Sequence, residues 1–370
     1  MRDKTFFIIC VSVLFFCVAG YFIATDRIAI ADRTVESSYK QFLLKASSPI
    51  KGRIIIAGGS SSMHGIDAGM MERHFARLAI NIADNATYPL EHKIYNLGNY
   101  VTREDLIILP LEWEHYISGN RLVENYVTSI LDKSGSNSFY YRELPFFVKV
   151  RFIFKDIPFS LALNRIVTLN GLSWFNGELR KAEADSLEKI FNLLSQDLRG
   201  SDLGDTRMNA DVGTQSCDEY VMRDTFIISE QFKKDLKLLQ AMVKKTNAKV
   251  VFTWPTVTDM TNNECYTSNL VQYYIDSHIK NITDEVNRHG FNFIGNVYDS
   301  RFDGSCFKDT YYHVRHHCAI DRTARLIELL ESEGLLTKRD GYSPDSTSKI
   351  LGEYARNIEA SFGSTVISAK

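Results

Sequence analysis

The sequence predicts an α/β fold: a three-layer α/β/α sandwich on a five-stranded parallel sheet, with a helical insertion and an N-terminal transmembrane helix. Three observations carry that expectation. Short runs rich in isoleucine and valine alternate with segments of helical periodicity, the pattern of parallel strands covered on both faces. The 370 residues are 45% apolar and 24% charged, with net charge -2 and seven prolines, which suffices for a sizeable core and excludes a low-complexity, collagen-like or multi-span membrane chain. Finally, residues 5–24 (TFFIICVSVLFFCVAGYFIA) carry no charge at all.

That opening run makes about 30 Å of helix, enough to cross a bilayer. Arg2 and Lys4 precede it, while Asp26 and Arg27 nearly cancel after it. The bias predicts residues 1–25 as a cytoplasmic tip and single-pass anchor in the inner (plasma) membrane, with the main domain periplasmic or extracellular. A cleaved signal peptide is the competing reading, but its apolar core is usually about 7 to 15 residues. A lipoprotein signal wants small residues before its cysteine, and here Phe15 and Phe16 precede Cys17.

Residues 26–52 read as a polar linker and 53–334 as the α/β domain. Residues 53–59 (RIIIAGG) form a strand stopping at two glycines; 66–78 have helical spacing, and 78–83 (LAINIA) give a second strand, completing a βαβ unit. A helix over 89–100 leads to a third strand at 105–111 (DLIILPL). Helices at 229–246 and 269–289 precede strands at 249–254 (KVVFTW) and 291–298 (FNFIGNVY), and an amphipathic helix at 319–333 closes the domain. The interval 113–217 is far longer than a crossover needs and reads as a mostly helical insertion, with an aromatic-rich run at 139–163 and an amphipathic helix at 185–198. Residues 335–370 are a polar appendage.

The near-neutral charge argues against a dedicated nucleic-acid partner. No internal repeat, nucleotide-binding glycine loop or zinc-protease helix motif is present. Of six cysteines, Cys10 and Cys17 lie in the anchor, and Cys217, Cys265, Cys306 and Cys318 outside it permit two disulfides in any of three pairings. A Cys306–Cys318 bridge would pin the most histidine-rich stretch of the chain.

The candidate chemistry lies in two segments some 250 residues apart. GGSSSMHGID (58–67) begins where the first strand ends, at the carboxyl edge of a parallel sheet, where α/β folds hold ligands. DTYYH (309–313) follows the fifth strand and emerges at the same edge. An alcohol needs a neutral imidazole to take its proton and a group to orient that imidazole. Ser60, His313 and Asp309 supply these roles, with Ser61 and Ser62 as alternative nucleophiles and a solvent-facing position expected for His64. The plainer reading makes Gly-Gly-Ser an ordinary turn with a helix cap, and His313 a surface residue. His313, His316 and His317 form H-x-x-H-H, which with Asp309 or Asp303 offers a metal-site alternative.

Together the two segments, with Asn81, Ile82 and Ala83 at the second strand's end and Arg322 and Thr323 after the late motif, resemble the SGNH/GDSL hydrolase superfamily. The likeness is to its membrane-anchored, extracytoplasmic members that acylate or deacylate polysaccharides. It covers about residues 53–330, with the middle unaccounted for. The resemblance implies a Ser60–His313–Asp309 triad and an oxyanion hole from the Ser60 and Ala83 N–H groups, joined by Asn85. Where the family has a glycine this chain has Ala83, and where it has an asparagine donor the chain has LPLEWE, so Glu112 occupies that neighbourhood. Losing one oxyanion donor typically lowers rate by roughly 100- to 1000-fold, which suits a slow, specialised enzyme or a degenerate one.

The expected activity is acyl transfer or ester hydrolysis, O-acetyl in the first instance, on a cell-envelope or secreted polysaccharide, without a soluble cofactor or metal. The resemblance further implies a multi-span membrane-bound O-acyltransferase as the partner that exports the acyl group. The alternatives are an inactive carbohydrate-binding or assembly protein of the same fold, and a metal-dependent hydrolase.

Overall fold

The computed structural model describes residues 2–31, 35–117, 124, 126–128, 130, 138–168, 199–201, 203, 226–258, 269–308, 310 and 312–339. It is an α/β fold with a five-stranded parallel sheet in the order β2-β1-β3-β4-β6, preceded by one long apolar helix. The strands are β1 Ile54–Ile56, β2 Ala79–Asn81, β3 Leu106–Pro110, β4 Lys249–Thr253 and β6 Asn292–Phe293. The register pairs Ile55 with both Ile80 and Ile107, and Val250 with Ile107, so the expected runs align without slippage. A pair not foreseen, β5 Val257–Thr258 with β7 Arg301–Phe302, lies beyond the end of β4.

Because side chains alternate across a strand, the sheet divides the interior into two cores. On one face Ile55, Ile80, Ile107, Leu109 and Phe252 pack on helices α2 (Val35–Ala46), α5 (Leu90–Tyr100), α10 (Glu230–Thr246) and α11 (Asn269–Arg288). On the other, Ile54, Ile56, Ala79, Ile108 and Val251 pack on α3 (Ser60–Gly65), α4 (Ala68–Phe75) and α12 (His316–Ser332). Arg53, at the mouth of β1, is fully buried; its guanidinium bonds Asp105 (2.7 Å) and the Ser47 hydroxyl (2.8 Å), tying α2 to two strands.

Several boundaries differ from expectation for local reasons. The stretch 26–52 is not a linker: α1 (Arg2–Ala31) runs into it and α2 occupies much of it, because Leu43, Leu44 and Ala46 give it a face that enters the core. The helix expected at 66–78 is α4, shorter at both ends, and a separate short helix, α3, precedes it. The two are separated where Ile66 is extended and the Asp67 side chain accepts from the Met70 N–H (2.9 Å), a helix N-cap. The strand expected at 291–298 pairs only at Asn292 and Phe293, because Gly295 has φ +75 and Asn296 caps a 3-10 turn.

The described part of the insertion is helical up to Thr168 apart from short connections: α6 (Trp113–Ile117), α7 (Ser138–Glu143), α8 (Phe146–Arg151), a π turn at Phe152–Asp156, and α9 (Phe159–Thr168). Tyr126, Tyr140, Tyr141 and Phe152 form a core of their own. The helix expected at 185–198 and the appendage beyond residue 339 lie outside the described residues. In α1, Lys4–Asp26 holds an 18-residue window of mean hydropathy 2.7 and is long and apolar enough to cross a membrane.

Candidate active site

Gly58 and Gly59 follow β1, and their lack of side chains is required by close approach. A Cβ at Gly58 would lie 2.7 Å from the Pro110 carbonyl, and one at Gly59 2.1 Å from the Glu112 carboxylate. The turn is thereby pressed onto the end of β3, and α3 starts at Ser60, the residue after the glycine pair.

The three serines of this turn have distinct surroundings. Ser61 is fully buried: its hydroxyl lies 2.8 Å from Thr256 Oγ1 and accepts from the Thr256 N–H (3.0 Å), while its N–H donates to Glu112 Oε1 (2.9 Å). Ser62 is buried and donates to the Pro110 carbonyl (3.3 Å). Ser60 is half-buried, and no hydrogen bond among the described residues engages its hydroxyl. Reach to a substrate therefore distinguishes Ser60 from its neighbours.

The two candidate segments meet. Ser60 and His64 are four residues apart on α3 and so share a helix face, and the His313 ring packs on the His64 ring with centroids 4.2 Å apart. His64, expected to face solvent, is buried by this contact. A relay backs it: the Ser61 hydroxyl meets Thr256, and the Thr256 hydroxyl donates to the Tyr312 carbonyl (2.8 Å), the residue before His313. Arg322 of α12 closes the floor, donating to the Ser61 carbonyl (2.7 Å) and the Trp254 carbonyl (3.3 Å). Burial pulls its guanidinium down to about 10, so it stays cationic at neutral pH. Asp309 lies outside the described residues.

A disulfide joins Cys306 to Cys318 in the first turn of α12, and a bridge between Phe307 and Val314 pairs the loop's two limbs, so the His313 loop is held at both ends. Cys217 and Cys265 lie outside the described residues. His317 comes within 4.8 Å of both sulfurs, but these are bonded to each other and are not thiolate ligands in this state; His316 and His317 are exposed.

The expected oxyanion donors are placed less favourably. The Ala83 N–H donates to the Asn81 side chain (3.1 Å), whose amide in turn holds the Ser62 and Ile66 carbonyls (3.0 and 3.1 Å). An oxyanion at Ala83 would have to displace that internal acceptor. Asn85 is exposed, and its side-chain oxygen accepts from the Thr87 N–H (2.8 Å). Glu112 is fully buried, with one oxygen on the Ser61 N–H and the other 3.7 Å from His115 Nδ1. Burial pushes the Glu112 carboxyl up to about 7 and the His115 imidazole down to about 3, so the two are not a charged pair at neutral pH. Glu112 thus braces the turn that follows β1.

Sequence reasoning missed a buried triplet beside the turn. Lys93 Nζ contacts the Asp84 carboxylate (2.6 Å) and the Gly58 carbonyl (2.7 Å), and the Tyr140 hydroxyl donates to Asp84 from the insertion (2.5 Å). Burial raises the Asp84 carboxyl against the opposing pull of Lys93. Lys93 was recoverable: Leu90, Ile94 and Leu97 define the inner face of α5, and helical spacing puts Lys93 on it. Among the described residues, clefts of about 500 and 550 Å³ lie one by Trp254 and Arg322 and one between α5, α10 and the insertion; neither is lined by Ser60 or His313.

Neither protein-family models nor curated proteins yield a match to this chain.

Proposed function

We propose that this chain is a membrane-anchored, SGNH-like serine enzyme that transfers or hydrolyses acyl esters, acetyl in the first instance, on an envelope or secreted polysaccharide. The observation that carries the reading is the packing of His313 on His64, one helical turn along α3 from a Ser60 whose hydroxyl is unengaged among the described residues. Helices on both faces of the parallel sheet support the three-layer sandwich that such a site needs.

In this mechanism Ser60 Oγ attacks the ester carbonyl, and the His313 imidazole takes its proton and returns it to the departing alcohol. Asp309 orients the ring, and a sugar hydroxyl or water then accepts the acyl group. A multi-span membrane-bound O-acyltransferase is the proposed supplier of the acyl group. The anchor reading of α1 is favoured over a removable signal by its packing: Thr25 is buried, and the Tyr141 hydroxyl donates to Asp26 (2.6 Å). The charges of Arg2 and Lys4 support an outward-facing domain in the inner membrane.

A non-catalytic glycan-binding role is the second reading, favoured by the engaged Ala83 N–H and the missing asparagine donor. The full chain in detergent, given p-nitrophenyl acetate and acetylated oligosaccharides with and without chelator, distinguishes these. Release of product at equal rates in both conditions is expected. Release abolished by chelator favours a metal-dependent hydrolase, and no release from any ester leaves the binding role.

A further inference from the structure

We propose that α8, the π turn and α9 form a foot that lies in the interface of the bilayer crossed by α1, so that the domain is seated on the membrane as well as tethered to it. The proposal rests on the anchor reading of α1 and extends it.

The foot exposes an apolar surface that a water-facing domain would not retain. Phe146, Phe147, Phe154, Phe159, Leu163 and Val167 are all exposed, Phe147 to 83%, Phe159 to 63% and Val167 to 66%. Phe159, Leu163 and Val167 recur every four residues and so make one stripe of α9, while Ala162 on its other side is buried in the insertion core. Contiguous apolar surface of this kind marks an interaction site. Lys149 and Lys155 are interleaved with it, the composition of helices that lie in a headgroup layer.

What covers this surface is indicated by its continuity with α1. Phe22 packs on Phe146 (5.8 Å between centroids) and Phe154 (6.3 Å), and Tyr21 on Phe154 (5.6 Å) and Phe159 (5.2 Å). Tyr21 and Phe22 stand four to five residues before Asp26, where the apolar run ends. At a rise of about 1.5 Å per residue they lie roughly 6 to 8 Å inside that end, within the depth of about 5 to 10 Å to which interfacial helices bury their apolar faces. Any bilayer that accepts α1 to Asp26 therefore reaches the foot. From there Tyr140, Asp84 and Lys93 connect the insertion to the Gly58 carbonyl, so seating the foot fixes the Ser60 turn relative to the membrane.

The test is fluorescence of the full chain reconstituted into phosphatidylcholine liposomes, with and without bromine on the lipid acyl chains. Phe147→Trp and Phe159→Trp report on the foot, Phe15→Trp on mid-α1, and Glu328→Trp on α12, which packs against the opposite face of the sheet; the signal of the parent's own tryptophans is subtracted. Equal near-ultraviolet circular dichroism selects folded variants. Expected is at least twofold quenching of the two foot reporters and of Phe15→Trp, with Glu328→Trp unchanged. Quenching of Phe15→Trp alone overturns the foot and leaves the anchor intact, as it would if a second copy or another protein covered the surface. Quenching of none overturns the anchor reading and the foot with it.

Discussion

Replacing Ser60 with alanine is expected to lower ester turnover by about 1000-fold or more, while Ser61→Ala keeps turnover per folded molecule within about tenfold. The two hydroxyls are adjacent in sequence but have different surroundings. Ser61 is buried and bonded to Thr256, whose N–H and hydroxyl both reach its oxygen. Removing that oxygen strands the Thr256 N–H in the interior, which destabilises by about 1 to 3 kcal/mol, and a melting experiment detects it. Removing Ser60 Oγ strands nothing among the described residues, so Ser60→Ala melts with the parent and loses only chemistry. Initial rates with p-nitrophenyl acetate beside thermal transitions separate the two effects. The reverse pattern, with turnover lost in Ser61→Ala and kept in Ser60→Ala, would transfer the nucleophile to Ser61.

Glu112→Gln is expected to stabilise the protein at pH 8 and to leave it near the parent at pH 5. In the folded state burial holds the Glu112 carboxyl protonated up to about 7, against an ordinary value of 4.5. Between those values the folded protein binds a proton that the unfolded chain has released, so stability falls as pH rises through the window and is lowest above it. The slope is at most about 1.4 kcal/mol per pH unit and the whole effect about 3 kcal/mol, or several degrees in the transition temperature. Glutamine keeps an oxygen for the Ser61 N–H but never ionises, so it removes the slope. Thermal melts of both proteins at pH 5 and pH 8 check this. If the substitution were more harmful at pH 8 than at pH 5, the ionised carboxylate would be the form that braces the turn.

The central strands were legible because isoleucine and valine runs bounded by glycine, asparagine and charge have few other interpretations. The ends of elements were less so. Asp67 is an N-cap followed by a helical run, yet hydrophobic spacing alone starts the helix at Ile66, which is extended, and does not announce the separate turn of α3 before it. Residues 26–52 looked polar in bulk, and only Leu43 and Leu44 reveal that one side of α2 enters the core. At the site, the approach of the 58–67 and 309–313 segments follows from both lying at the carboxyl edge of a parallel sheet. The bonds that fix Ser61, by contrast, come from Thr256, 195 residues away just after β4, where no local pattern announces a role. Likewise the commitment of the Ala83 N–H to Asn81 depends on how the strand end curls back, which residue identity does not reveal.

The most direct measurement is covalent: treat the folded full chain with a fluorophosphonate, digest it, and locate the adduct by mass spectrometry. A single adduct on Ser60 is predicted, suppressed in His313→Ala because the hydroxyl then lacks its base. An adduct on Ser61 or Ser62, or labelling of Ser60 undiminished by His313→Ala, would contradict the pairing of these two side chains on which the proposed chemistry depends.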